Sequence, residues 1–212
     1  MNMPSFRRRE IFACVTAMLL GACSSARTHY HSLTPVHQAS GEIGTIACTF
    51  DPADPGPAQQ HLISTVLVAH LTVPAEADRM QLLLHQSPTR LSVYETERWA
   101  APLEDQISNI LMENLRNARP DLSITRDPLL IGTKTPLQLR MDIEQMDALA
   151  GKDVTVRAQW RVSIKDEDAS RTGTCTARQP LRSADIDETV LAWSRALGDI
   201  SSALASSIAV GR

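Results

Sequence analysis

Few residues of this sequence have the type and spacing that a metal site or a catalytic site requires. His29 and His31 are two positions apart, so in an extended segment both imidazoles would point the same way and could bind a metal ion weakly. Asp142 and Glu144 have the same spacing in an alternating segment, where paired carboxylates could act as acid and base. The simpler explanations are a solvated linker for the histidines and an exposed polar strand face for the carboxylates. We therefore expect neither a metal site nor a catalytic site at these positions.

Motifs of known enzymes do not occur in the sequence. It has no nucleophile elbow, no His-Glu-x-x-His helix, no phosphate loop and no dinucleotide fingerprint. Residues 131–135 contain a glycine and a lysine without the spacing that wraps a phosphate, and we expect a loop there. The sequence therefore predicts a protein that is not an enzyme and has no cofactor.

The chemistry that the sequence does predict lies at Cys23. Three arginines at 7–9 precede an apolar run at 11–20, and Leu20-Gly21-Ala22-Cys23 closes the segment. This order is typical of a signal peptide that ends in a lipobox, and the run is too short for a membrane-spanning helix of about 20 residues. A short buried helix is the alternative, but it does not explain the arginines and the small residues. We predict that residues 1–22 are removed and that Cys23 is lipidated.

Cys48 and Cys175 remain once Cys14 leaves with the signal peptide and Cys23 carries lipid. In an oxidising compartment we expect these two to form a disulfide. Because the bridge would close a loop of more than 100 residues, the chain-entropy model gives a stabilisation of about 4 to 5 kcal/mol. Two separate buried thiols are the alternative. Neither cysteine has a histidine close by in sequence, so we do not expect zinc.

Charge and length limit the class of protein. Removing residues 1–22 takes away three arginines and one glutamate, so the 21 basic and 24 acidic residues become 18 and 23, a formal charge of −5. This acidic balance argues against a nucleic-acid partner. Residues 23–45 are polar and small and predict a flexible tether that follows the lipidated cysteine. Residues 46–212 have the size of a single domain, with a proline-rich loop at 51–60.

The first half of this domain predicts three strands and a helix. Residues 63–71 are β-branched and apolar, which is typical of a strand covered on both faces. Residues 80–85 and 91–94, with Pro88 between them, predict a hairpin. A helix then begins near Pro102, and its apolar stripe consists of Leu103, Ile107, Ile110, Leu111 and Leu115.

The second half predicts three more strands and a final helix. Apolar residues alternate from 137 to 143 and again from 154 to 164, with a turn at 150–153, so these segments form an antiparallel pair with one polar face. Residues 172–181 predict the next strand. The last helix begins at Asp185, where Glu188 completes a capping box. Two helices on one face of a mainly antiparallel sheet make an α+β fold.

Surface arginine and tryptophan residues are candidates for partner binding. Arg79, Arg98 and Trp99 qualify because arginine and tryptophan are enriched at interface hot spots. Arg157 and Arg161 lie on the polar face of the strand at 154–164, which is either hydrated or meets a polar partner. The alternative for Trp99 is structural: it would pack the start of the helix onto the core, while Arg98 pairs locally.

Several of these stretches together resemble a known family. They are residues 71–84, 90–103 and 111–115, the strand with Ala158-Gln159-Trp160-Arg161, the C-terminal helix and the lipobox. The sequence resembles the ABC-type transport auxiliary lipoproteins, the PqiC-like family, over nearly the whole chain after the signal peptide. The most specific elements are Asp78-Arg79-x-Gln81 and Arg98-Trp99-Ala100-x-Pro102-Leu103. Asp78 therefore joins Arg79, Arg98 and Trp99 as a candidate partner-binding residue.

The resemblance implies a role in moving lipid between two membranes. It implies a non-enzymatic subunit that is anchored in the outer membrane and works with a mammalian-cell-entry (MCE) domain protein. A homo-oligomeric ring of copies is one arrangement in which such a subunit would dock on that protein. Ser24 after the lipidated cysteine agrees with sorting to the outer membrane in such lipoproteins. An adaptor is the first hypothesis. A carrier that binds phospholipid directly is the second, and it would need an apolar cavity large enough for an acyl chain.

Overall fold

The computed structural model describes residues 26–36, 44–51, 64–132, 135–164 and 170–208. The predicted signal peptide, Cys23 and most of the proline-rich loop lie outside these residues. The described residues form one nine-stranded mixed sheet, mostly antiparallel, and two α-helices. In chain order, the strands are β1 (His29–His31), β2 (Thr45–Phe50), β3 (Thr65–Thr72), β4 (Gln81–Ser87), β5 (Arg90–Trp99), β6 (Ser123–Thr125), β7 (Leu137–Leu149), β8 (Asp153–Ile164) and β9 (Ser170–Pro180).

The long strand β7 organises the sheet. On one side it pairs along its whole length with β8. On the other side its first half pairs with β3 in parallel, and its end meets β4, where His85 lies opposite Leu149. Strand β3 therefore lies between β6 and β7, and its first four residues are buried, as predicted for a strand covered on both faces. The predicted hairpin is also confirmed, as β4 and β5.

A β-bulge at Glu144 changes the side on which β7 buries its residues. Before the bulge Ile143 pairs with Ala158, and after it Gln145 pairs with Arg157, so one residue of β7 is extra. Odd-numbered residues face the core up to Ile143, and even-numbered residues do so from Met146 onward. In β8 the even-numbered apolar residues are all buried, as predicted. The bulge thus keeps both strands packed on one core despite the change of parity.

Strand β2 is fastened to β9 at the edge of the sheet. Cys48 and Cys175 lie directly opposite each other and form a disulfide across 127 residues of sequence, which confirms the expected pairing. Gly173 of β9 leaves space for the neighbouring tryptophan, because a Cβ atom there would lie 2.4 Å from Cζ2 of Trp160. The Trp160 ring, 1% exposed, also packs against Phe50, with ring centroids 5.8 Å apart.

Both helices cover the same face of the sheet. Helix α1 spans Leu103–Ala118, and its predicted apolar stripe is buried. Burial of one leucine side chain contributes about 2 kcal/mol. Helix α2 spans Ile186–Ser207 and packs against α1, β8 and β9. Arg119 follows α1 and donates to the backbone carbonyls of Ala205 (3.1 Å) and Ile208 (2.5 Å), so it satisfies acceptors at the end of α2.

The predicted capping box of α2 is wrong. Asp185 is the N-cap residue, but its side chain makes no capping hydrogen bond and accepts instead from the Ser183 hydroxyl at 2.8 Å. The Glu188 carboxylate accepts from the backbone N–H of Arg182 at 3.2 Å and from the Arg195 guanidinium at 2.6 Å. The side chains of Glu188 and Arg195 are 12% and 10% exposed, so pairing with this largely buried cation keeps the carboxylate away from the cap.

The prediction of a flexible tether at 23–45 is wrong for residues 26–36. Strand β1 pairs in parallel with the end of β5, and the Ala100 N–H donates to the His31 carbonyl at 2.9 Å. Leu33 is buried, and its N–H donates to Gln106 of α1 at 2.9 Å. The N–H of Thr34 donates to the Ser194 hydroxyl of α2 at 3.1 Å. This segment belongs to the fold because the sheet edge and both helices offer it hydrogen-bond partners.

Candidate functional site

On β7 and β8, the face of the sheet opposite the helices is open to solvent. It carries the polar residues that alternate with the buried apolar residues of β7 and β8. A groove of about 440 Å³ crosses this face. Its polar and charged lining comes from four strands: His70 and Thr72 on β3, Arg140 and Asp142 on β7, Gln159 and Arg161 on β8, and Thr172 on β9. We call this the cationic groove.

Two arginines stand at the centre of the cationic groove. Arg140 of β7 and Arg161 of β8 are directly opposite each other in the sheet, and both are exposed. His70 lies beside Arg140 on β3. In the part of the chain that the structure describes, neither guanidinium has a hydrogen-bond or ion-pair partner. Like charges at directly opposite positions destabilise a sheet, so this pair is a feature that packing does not require.

The two carboxylates singled out from the sequence do not form an acid-base pair. Asp142 lines the cationic groove and accepts a hydrogen bond from the Thr72 hydroxyl of the neighbouring strand. Glu144 is the extra residue of the bulge and is exposed. Each therefore has the simpler role of a polar side chain on an open strand face.

The turn before β4 and the end of β5 bring four of the predicted partner-binding residues together: Asp78 and Arg79 in the turn, and Arg98 and Trp99 on β5. Asp78 and Arg79 are exposed in the turn, and the Trp99 N–H donates to the Met80 carbonyl at 2.7 Å, which joins the two segments. The guanidinium of Arg98 donates to the backbone carbonyl of Glu95 at 3.1 Å. These side chains are at the β4–β5 side of the sheet, whereas Arg157 and Arg161 are on β8.

Trp99 is not a surface residue, so its prediction as a partner-binding residue is wrong. It is 3% exposed, and its ring packs against Trp193 of α2 with centroids 5.6 Å apart. The cavity beside these rings has a volume of only about 20 Å³, room for about one water molecule. The structural alternative is confirmed: the end of β5 turns its tryptophan into the core next to the start of α1.

His29 and His31 hold β1 against the rest of the fold. Glu97 of β5 lies between them, with one carboxylate oxygen 3.2 Å from Nδ1 of His29 and the other 2.5 Å from Nε2 of His31. Nδ1 of His31 lies 3.1 Å from Asp187 at the start of α2. No group of three or more potential ligands among the described residues could hold a metal ion. We call these four residues the β1 clamp.

Sequence reasoning found Arg161 but missed Arg140 and His70. The signal for Arg140 was present, because it alternates with Leu139 and Met141 on β7. Its position opposite Arg161 depends on the bulge at Glu144, since an unbroken register from the turn at 150–152 would place Arg140 opposite Val162. His70 joins the row only because β3 pairs with β7 in parallel, which no local pattern specifies.

The comparisons with known proteins agree with this architecture. The family model for the ABC-type transport auxiliary lipoprotein component matches residues 49–205. The chain belongs to this family. The match spans the auxiliary lipoprotein domain from β2 to α2, including all the strands that line the cationic groove. No curated protein matches the sequence.

Two solved structures share the fold of this auxiliary lipoprotein. One is the crystal structure of an uncharacterised protein, with a TM-score of 0.63 and 18% identity, and the match covers 71% of this chain and 96% of that chain. The other is protein XCC0632 from Xanthomonas campestris, with a TM-score of 0.57 and 19% identity over 72% of this chain and 87% of that chain. Within the described ranges, this lipoprotein has no helix both long and apolar enough to cross a membrane.

Proposed function

We propose that this auxiliary lipoprotein is the outer-membrane-anchored periplasmic subunit of an ABC/MCE-type lipid transport system. It is a non-enzymatic adaptor: lipid on Cys23 holds it in the membrane, and its domain docks on an MCE-domain protein to support envelope integrity. The observation that carries the proposal is the open sheet face in a chain of this family. The helices cover the other face, whereas Arg157 and Arg161 on the polar face of β8 are exposed and so are accessible to a partner.

The position of β1 limits how far the domain reaches from its anchor. Only residues 24–28 separate Cys23 from His29, and an extended chain of this length spans about 20 Å at most. The β1 clamp and the contacts of Leu33 with α1 hold the following residues on the domain. Lipid on Cys23 would therefore keep the domain next to the membrane surface. Several copies around one partner would form a ring only if each presents the same surface.

The direct carrier is the second candidate, and the geometry favours it less. A carrier needs an apolar chamber for an acyl chain. The cationic groove is open to solvent, and seven of its nine lining residues are polar or charged, the other two being Met141 and Trp160. The cavity beside Trp99 has a volume of about 20 Å³. The apolar residues between the sheet and the helices pack against one another.

Crosslinking in intact envelopes tests the adaptor. The lipidated protein is crosslinked in its own cells, and the captured proteins are identified by mass spectrometry. The proposal expects an MCE-domain protein, captured less when Cys23→Ser removes the anchor. If only copies of the same chain and lipid are caught, the adaptor is wrong and the carrier takes its place.

A further inference from the structure

The charges of the cationic groove form two adjacent rows across the sheet. The first row consists of residues that lie directly opposite one another on neighbouring strands: His70, Arg140, Arg161 and Thr172. The second row runs through Thr72, Asp142 and Gln159 in the same way. Neighbouring side chains on one face of a strand are about 7 Å apart. The first row is therefore positively charged. The carboxylate of Asp142 faces the groove from the second row, two residues along β7 from Arg140.

The first row suits a phosphate group. Arg140 and Arg161 are opposite each other on neighbouring strands, and no carboxylate within the described ranges pairs with either guanidinium. Guanidinium groups bind phosphate oxygens through paired, charge-assisted hydrogen bonds. A phosphate between the two would also relieve the repulsion of the like charges.

The second row suits a cation attached to that phosphate. The Thr72 hydroxyl donates to one oxygen of Asp142, and this hydrogen bond fixes the carboxylate within the groove. Gln159 lies opposite Asp142 on β8 and adds an uncharged amide. A ligand with a phosphate and, a short distance away, an ammonium would match both rows.

We propose that the cationic groove binds the phosphoethanolamine headgroup of a membrane phospholipid. The phosphate lies between Arg140 and Arg161, the ammonium lies on Asp142, and the acyl chains stay outside the groove. The choice of a lipid as the source rests on the proposed function, because lipid on Cys23 would keep the domain next to the bilayer. The groove volume of about 440 Å³ is large enough for a headgroup.

Binding of soluble short-chain lipids to the full lipoprotein in detergent tests the proposal. The probes are dihexanoylphosphatidylethanolamine, dihexanoylphosphatidylglycerol and inorganic phosphate, each titrated by calorimetry and by ³¹P line width. The ethanolamine lipid is expected to bind tightest. Arg140→Gln and Arg161→Gln are each expected to weaken its binding tenfold or more, and Asp142→Asn is expected to reduce it to the level of the glycerol lipid.

Arg157→Gln is the matched control. It removes one positive charge from the same face of β8, but Arg157 does not line the groove and donates to the Thr176 hydroxyl at 3.2 Å. Its lipid binding is expected to equal that of the unmodified protein. The thermal midpoints of Arg140→Gln and Arg161→Gln are expected to be unchanged or raised, because each variant removes a like-charge contact; weak binding by a folded variant is then a loss of the site.

Three results would overturn the proposal. They are equal binding of the two lipids, binding of inorganic phosphate as tight as that of the ethanolamine lipid, and binding that the arginine variants leave unchanged. None of them depends on a partner protein. A failure to capture an MCE-domain protein would therefore refute the adaptor while leaving headgroup binding to be judged by its own titration.

Discussion

Asp199 of α2 is a half-buried carboxylate, and its environment sets a pH dependence. Burial raises its pKa above the ordinary 3.8, against the lowering effects of a hydrogen bond from Gln179 at 2.5 Å and of the Arg195 charge. A raised pKa means that the folded state binds the proton more tightly than the unfolded state. Its contribution to stability is therefore complete below pH 3.8 and is lost as the pH rises through the raised value.

We expect Asp199→Asn to remove this dependence and to raise the free energy of unfolding at neutral pH. Urea unfolding between pH 3.5 and 7 measures it. Asp121→Asn is the control of opposite sign, because the Arg119 hydrogen bond lowers the pKa of this exposed carboxyl. The contribution of Asp121 to stability is lost as the pH falls through its lowered pKa. This contribution is small because solvent screens the pair of Asp121 and Arg119. If Asp199→Asn follows the same pH curve as the unmodified protein, burial of this carboxylate does not affect folding.

The attachment of β1 to the fold depends on the β1 clamp. One carboxylate oxygen of Glu97 is hydrogen-bonded to His31, and the other lies near the more exposed His29. A hydrogen bond to a charged group contributes about 1.5 to 3 kcal/mol. Glu97→Gln replaces the charge with an amide. We expect hydrogen exchange at the Ala100 amide, which donates to the His31 carbonyl, to become about tenfold faster or more.

Glu95→Gln is the control on the same strand, because Glu95 is exposed and does not contact the histidines. Amides in the centre of β8 are expected to exchange at the same rate in both variants. Equal exchange at Ala100 in Glu97→Gln and in the unmodified protein would show that the strand pairing with β5 holds β1 without the carboxylate.

The disulfide fastens the edge strand β2 to β9. Because Cys48 and Cys175 are 127 residues apart, the chain-entropy model gives a stabilisation of about 5 kcal/mol. We expect the double substitution Cys48→Ser/Cys175→Ser to lower the urea midpoint, and dithiothreitol to lower that of the unmodified protein equally. If the effect comes from this disulfide, dithiothreitol does not change the urea midpoint of the double variant. A midpoint that neither change affects would contradict the role of the disulfide.

At the scale of the elements, the sequence predicts what local patterns encode. The stripe of α1, the alternation of β8 and the β4–β5 hairpin are confirmed because each depends on residues close together in the chain. The switch at Glu144 from buried odd-numbered to buried even-numbered residues was missed. After it, only Met146 and Ala148 are apolar at the new positions, and two residues are too few to indicate a change of register. The tether was mispredicted because the partners of β1 lie far along the chain.

At the scale of the whole molecule, the fold separates two tasks. The helix layer and the N-terminal segment cover one face of the sheet, where they complete the core and fix the chain that leads to Cys23. The other face carries the cationic groove, and the residues that form it come from four strands of different sequence position. The candidate site could therefore be predicted only in part, through Arg161, because its assembly needs the register between strands.

Site-specific photocrosslinking tests the central claim most directly, namely that the open sheet face is the docking surface. A photoreactive phenylalanine analogue replaces Gln159 in the cationic groove, and in a second strain it replaces the exposed Glu113 of α1 on the opposite side of the domain. Both lipoproteins are irradiated in intact cells. We expect the analogue at 159 to capture an MCE-domain protein and the analogue at 113 to capture none. Capture from 113 and not from 159 would contradict the account.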